Sequence, residues 1–232
     1  MELSSIPRRR LRWRPSWRIV SSRFPPVGPF DRVASPEDLE AVFALESLTN
    51  DRLRDEIGDL GLIEAAERLS GPGTTPIMAA FTHPNSLGSR FSDGSFGVHY
   101  AAREIETAVE EARFHRDEFL RRTGEAPIRL EMRAYAADLT GRLHDLRGME
   151  REMPRYFNPD PRRYGPGQRL AAALRKAGAQ GIVYHSVRRP RGQCAAVLRP
   201  RVLSPCRQGP HLYFDWDGEA IRSVYEIREF PA

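Results

Sequence analysis

Apolar and polar positions change their pattern near Pro76 and divide the chain there. Ahead of it, Leu39, Val42, Phe43 and Leu45 recur at helical spacing behind Ser35-Pro36-Glu37-Asp38. That run supplies an N-cap serine, a proline at the first helical position and acids in the first turn, which predicts a helix to about Leu48. Asn50 to Ile57 and Leu62 to Leu69 read as two further short helices, and Gly71-Pro72-Gly73 closes a helical segment over residues 36–70. Beyond Pro76, the apolar run Ile77 to Phe81 suits a buried strand, and Thr82 to Gly97 is loop-like. Val98 to Ala101 predicts a strand leading into a helix from about Glu104 to Arg121. Ile128 to Tyr135 alternates as a strand does, and another strand is expected near Leu143. Ile182 to Tyr184, Ala195 to Leu198, Leu212 to Phe214 and Ser223 to Ile227 add short strands. A helix from about Gly167 to Lys176 stops before Gly178, and Asp217-Gly218 marks a hairpin turn. Helices that do not alternate regularly with strands predict an α+β fold rather than a doubly wound parallel sheet.

At 232 residues, 40% hydrophobic and 29% charged, one domain is expected over residues 25–232, with its core in 76–232. The sequence has no apolar run of membrane-spanning length, and Met1 to Arg14 is basic with no apolar stretch after it. Neither a membrane span nor a secretory signal is expected, and a cytoplasmic location follows. Cys194 and Cys206 lack metal-ligand spacing, and His83, His99, His115, His144, His185 and His211 are scattered, so no metal and no disulfide is assigned. The formal net charge is +5, carried almost wholly by arginine, with Lys176 the only lysine. Residues 1–24 read as a basic N-terminal arm in which Arg8, Arg9, Arg10, Arg12, Arg14 and Arg18 alternate with Trp13 and Trp17. A disordered or loosely docked arm is the plain expectation. A nucleic-acid-binding module built on this arm is the competing one, although no recognition-helix pattern follows.

Three segments carry candidate chemistry. Gly88-Ser89-Arg90-Phe91-Ser92-Asp93-Gly94 sets one arginine among small residues, so backbone can approach a ligand while the guanidinium forks onto a phosphate. Tyr100 follows ten residues on at a strand end, and Glu111 eleven beyond that, on a helix. With Ile105 at zero, Ala108, Val109, Ala112 and Phe119 cluster within about 60° of it at 100° per residue. Glu111 falls at the edge of that face and Glu110 points away. The third segment, Gly181 to Arg188, is a short apolar strand whose polar exit presents Ser186, with no elbow motif to make it a nucleophile.

These residues resemble the RES-domain family, named for its Arg, Glu and Ser. The resemblance runs from about Arg18 to Val202 and is carried by Gly88-Ser89-Arg90-Phe91, Val98-His99-Tyr100-Ala101, Thr107 to Glu111 with His115, and Gly181 to Arg188. Trp17-Arg18-Ile19-Val20 and Tyr164-Gly165-Pro166 also fit. Many members have Gly-Gly-Arg-Trp at the first of these places, and the segment from Pro36 to Pro76 is longer than in the shortest members, which adds surface for a protein substrate. The resemblance implies a core similar to ADP-ribosyltransferase toxins of the diphtheria type, two small β-sheets with NAD between them. It implies a toxin neutralised by a co-encoded helical antitoxin of the Xre type, any nucleic-acid contact coming only through that antitoxin. It further implies a substrate role for NAD, whose ADP-ribose passes to water, phosphate or a protein such as ribose-phosphate pyrophosphokinase. On that reading Glu111 supplies the catalytic carboxylate, Arg90 holds the pyrophosphate, Tyr100 stacks on nicotinamide and Ser186 orients the ribose or carboxamide.

Overall fold

The computed structural model describes residues 5–22 and 58–228; the helices expected from Ser35 to Leu48 and from Asn50 to Ile57 lie outside them. The N-terminal arginines do not form an arm. Arg8–Ser21 is a 14-residue strand, β1, with Leu11, Trp13 and Ser16 buried and Arg8, Arg10, Arg12 and Arg14 exposed. Period two is the strand signature, and here arginine occupies the outward positions. Ordered elements follow as α1 (Thr75–Thr82), β2 (His99–Ala102), α2 (Ile105–Thr123), β3 (Ile128–Asp145), α3 (Gly165–Lys176), β4 (Gly181–His185), β5 (Gln193–Val197), β6 (Arg207–Trp216) and β7 (Ile221–Ile227). The α+β class stands.

The expected pair of small sheets is replaced by one hydrogen-bonded sheet of seven strands, ordered β1-β2-β5-β4-β3-β6-β7. A further pairing of β1 with β3 closes the first five into a ring. The 18-residue β3 makes this possible. It runs antiparallel to β1 from Arg8↔His144 to Ser21↔Met132, its first half pairs β6, and its end meets β4 in parallel at His144 and Asp145. The two strands expected at Ile128 to Tyr135 and near Leu143 are therefore one. By contrast β1 and β2 share a single pair, Trp17↔Ala102, so the ring is open there.

Ile77 to Phe81 is helical, not a strand, within α1, whose first turn holds Pro76. Ile77, Met78, Ala80 and Phe81 are all buried, and a run apolar on every side gives no period by which to tell a short buried helix from a strand. Gly97 packs against it: a Cβ there would stand 2.3 Å from the Phe81 Cα. Leu62 to Leu69 contains only 3-10 turns, at Leu60–Leu62 and Ala65–Glu67.

The core lies in three parts. Leu11, Trp13, Met78, Leu139, Leu143 and Val197 pack between the ring and α1. Phe91, Leu170, Leu174, Ile182 and Tyr184 pack beneath α3, and Leu120, Met132, Phe214, Trp216 and Ile221 join α2 to β6 and β7. Each large side chain buried in this way contributes about 1.5–3 kcal/mol. Among the described residues no helix is long and apolar enough to cross a membrane.

Candidate active site

Where β1 and β2 part, a cleft of about 860 Å³ opens between β1, β2, α2 and the loops after α1 and before α3. Arg18, Arg90, Tyr100, Glu111, His115 and Arg116 all line it. Its volume falls in the ~300–1,000 Å³ range of small-molecule and cofactor sites.

Glu111 reaches the cleft from the inner edge of α2, in line with Ala108, Ala112 and His115. Glu110 faces away and pairs with Arg113 at 3.6 Å. The apolar face of α2 differs from expectation at its end, where Leu120 is buried and Phe119 is 44% exposed at the cleft's rim.

Ser186 lies just past β4, where its amide bonds the Gly192 carbonyl at 2.8 Å. Its hydroxyl oxygen accepts the amides of Arg188 and Arg189, each at 3.0 Å, and donates to Glu111 Oε1 at 2.6 Å. With both lone pairs taken by N–H groups, the single hydroxyl proton is directed to the carboxylate. The Cys194 thiol lies 3.7 Å from the same oxygen. Burial, and then the Glu111 charge, push its pKa well up, so it stays a thiol and a weak donor rather than a nucleophile. Oε2 of Glu111 has no hydrogen-bond partner among the described residues. Ser186 itself does not line the cleft; its hydroxyl is committed to Glu111.

The loop before β2 is fixed from within. The Tyr100 hydroxyl accepts the Phe91 amide at 2.9 Å and lies 2.8 Å from Ser89 Oγ. Burial pushes its pKa up to about 12, so it remains a phenol. Phe91 is fully buried, edge-on to Tyr184 at 5.1 Å. Arg90, 7% exposed, donates through Nη1 to the carbonyls of Tyr156 and Asn158 at 3.0 and 2.9 Å, and through Nη2 to the Tyr164 hydroxyl at 3.3 Å. Its guanidinium also sits 4.5 Å from the Tyr164 ring centre. Three of its five N–H groups thus tie down residues 156–164. Arg188 reinforces that segment through the Pro159 carbonyl and the Tyr164 hydroxyl, and its guanidinium lies over the Phe114 ring.

Arg18 is the cleft residue that sequence reasoning placed elsewhere, in a basic arm. It extends from β1 across the split to donate from Nη1 to the Tyr100 carbonyl at 3.2 Å, and its buried Nε has no hydrogen-bond partner among the described residues. Burial lowers its pKa, yet a guanidinium keeps its proton. The signal was its apolar neighbours, Trp17, Ile19 and Val20, which set it apart from the charged run before it. His115 also belongs here. Although His115 is exposed at the cleft, the protein packed around it lowers its pKa by desolvation, Glu111 opposes that shift and Arg188, Arg90 and Arg116 add to it.

Five arginines, Arg18, Arg90, Arg116, Arg121 and Arg122, line the cleft with two carboxylates, Glu111 and Glu118; Glu118 is taken by Arg121 at 3.0 Å, and Glu111 is held by one oxygen, the other having no hydrogen-bond partner among the described residues. That pattern suits a ligand with anionic groups along its length and positive charge at one point.

Comparison with known proteins supplies the family of the chain. The chain is 34% identical over 217 residues to an uncharacterised protein of Sinorhizobium fredii (strain NBRC 101917 / NGR234) designated y4oC, covering 90% of this chain and 86% of that one. A solved structure, the M. tuberculosis MbcT-MbcA toxin-antitoxin complex, aligns over 57% of this chain and 74% of its own with 15% identity and a TM-score of 0.39. The RES domain model matches residues 65–217, from the turns ahead of α1 through β6 and including Arg90, Tyr100, Glu111 and Ser186: the chain belongs to the RES domain family.

Proposed function

We propose that this chain is the toxin of a bacterial toxin-antitoxin pair, and that it cleaves the bond between nicotinamide and ribose in NAD and passes the ADP-ribose to an acceptor. The observation that carries the reading is the state of Glu111, a cleft carboxylate with Oε1 fixed by Ser186 at 2.6 Å and Oε2 unpartnered. Expelling nicotinamide leaves positive charge on the ribose, and a preorganised carboxylate in the cleft stabilises that charge more in the transition state than in the ground state. Glu111 takes this role through Oε2. Ser186 is a positioning residue that acts through Oε1, a different task from direct contact with ribose. The unused N–H groups of Arg18, and the two that Arg90 retains, face the pyrophosphate. Tyr100 offers its ring to nicotinamide while its hydroxyl holds the Ser89–Phe91 loop.

Membership of the RES domain family supports the toxin reading and, with it, a co-encoded helical antitoxin of the Xre type that covers the cleft. The core is then a variant of the ADP-ribosyltransferase architecture in which the sheets have joined. The acceptor is water or phosphate, which drains NAD, or a protein such as ribose-phosphate pyrophosphokinase. Incubation with labelled NAD and cell lysate separates these: label stays in small molecules in the first case and moves to one protein band in the second. Expression with and without the neighbouring reading frame, with NAD measured in both cultures, tests the whole proposal. NAD should fall and growth stop only without the partner; unchanged NAD together with no labelled protein overturns it.

A further inference from the structure

The arginine row on the outer face of β1 has no part in the cleft. Arg8, Arg10 and Arg12 stand exposed on one face of the strand, and Arg142 of β3 lies directly opposite Arg10 in the antiparallel register. Successive outward positions on a strand are about 6.7 Å apart, so these four cations form a line with one doubled position. None of the four has an ion pair or side-chain hydrogen bond among the described residues. Arg9 and Arg14, by contrast, meet Asp145 and Asp138. On the same face Asp138 is shared by Arg14 and Arg207, and Glu64 and Glu67 line a hollow with Thr140, the residue opposite Arg12, where Arg199 takes Glu64 at 3.0 Å. Like charges facing each other across a ladder are destabilising, so the folded chain carries an uncompensated positive line.

We infer that this line is a docking surface for the phosphate backbone of a DNA duplex. The surroundings choose among polyanions. Surfaces for single strands interleave cations with aromatic rings on which bases stack, but Trp13 is turned into the core at 6% exposure and Trp17 faces the cleft. A protein partner would need a buried apolar anchor at the centre of its interface. Among the described residues the exposed large apolar side chains, Leu87, Phe119, Ile128 and Tyr225, all lie off the row. What remains is phosphate alone, with the bases held inside their own stack. Such binding is independent of sequence and governed by counterion release. It uses none of the cleft residues, so it stands or falls apart from the NAD reading.

The test is fluorescence anisotropy with a labelled 20-base-pair DNA duplex and the full chain, from 50 to 200 mM salt. Four phosphate contacts give a slope of log K against log salt of about −3.6, or a loss of ~10²-fold over that range. Arg10→Gln with Arg142→Gln should bring the slope to about −1.8 and raise, not lower, the thermal midpoint, which shows that folding is intact. Arg151→Gln with Arg163→Gln removes the same charge from exposed positions off the row and should leave the slope unchanged. Glu111→Gln should leave it unchanged as well. No binding of the duplex at 50 mM salt overturns the inference. So does an unaltered slope in the Arg10/Arg142 variant, equal affinity for a single strand of the same length, or equal displacement by poly-glutamate.

Discussion

Replacing Ser186 by alanine removes the one hydroxyl that links the turn after β4 to Glu111. Two losses follow. The 2.6 Å bond to Glu111 Oε1 is charge-assisted and stabilises by about 1.5–3 kcal/mol. The half-buried amides of Arg188 and Arg189 lose their acceptor as well, although water can reach them in part. The thermal midpoint should fall by roughly 5–10 °C, at about 2–4 °C per kcal/mol for a chain of this size. Activity should fall by about 10- to 150-fold, which is the same bond expressed as a rate through transition-state theory. The deciding assay is a double-mutant cycle on nicotinamide release. If Ser186 acts through the carboxylate, Ser186→Ala should lower kcat in the parent and change it by less than about 2-fold in a Glu111→Gln background. An equal loss in both backgrounds, or a rise in KM with kcat unchanged, would mean that the hydroxyl touches substrate directly and that its assignment as a positioning group is wrong.

Other outcomes follow from the same geometry. Arg90→Ala should weaken NAD binding by calorimetry and also cost about 2–4 kcal/mol in a urea titration, because the Tyr156 and Asn158 carbonyls lose a buried donor; loss of affinity with unchanged stability would contradict the bracing role. Gly167→Ala puts a Cβ 2.4 Å from the Arg90 carbonyl, so it should displace α3 from the loop and reduce activity more than a substitution at an exposed position of the same helix such as Lys176→Ala, as single-turnover kinetics would show. His99, 1% exposed, has its pKa held well below 6.5 by burial and then by Arg18. The unfolded chain therefore binds the extra proton, and stability falls as pH drops below about 6.5, with a slope of up to about 1.4 kcal/mol per pH unit from this group. His99→Gln should flatten that slope between pH 6.5 and 5 in urea titrations, and an unchanged slope would show that His99 is not the group responsible.

Much of the fold was legible where one face of an element meets water. Alternation gave the first half of β3, short apolar runs gave β2 and parts of β6 and β7, and the glutamates of α2 could be told apart because Glu111 lies at the edge of the apolar face and Glu110 points away from it. Burial on all sides erased the signal at Ile77 to Phe81, where no polar position recorded the helical period. The arginines of β1 were misread for the opposite reason. Their charge suggested an arm, yet the residues between them, Leu11 and Trp13, carried the period of a strand. Joining of the sheets depends on pairing β1 with β3 across more than 100 residues, which no local pattern encodes. At the site, residue identities came from motifs in sequence, but their tasks came from hydrogen bonds: Ser186 serves Glu111, Arg90 braces the loop before α3, and Arg18 reaches across the split to the Tyr100 carbonyl.

The most direct measurement is nicotinamide release from NAD by the purified chain without its partner, run beside Glu111→Gln. The parent should release nicotinamide in the presence of water, phosphate or lysate protein, and the variant should be slower by about 10²–10³-fold while binding NAD with a Kd within about 2-fold of the parent's. Release by Glu111→Gln at the parent rate would contradict the role given to this carboxylate, and no release by the parent under any of the three conditions would contradict NAD as the substrate.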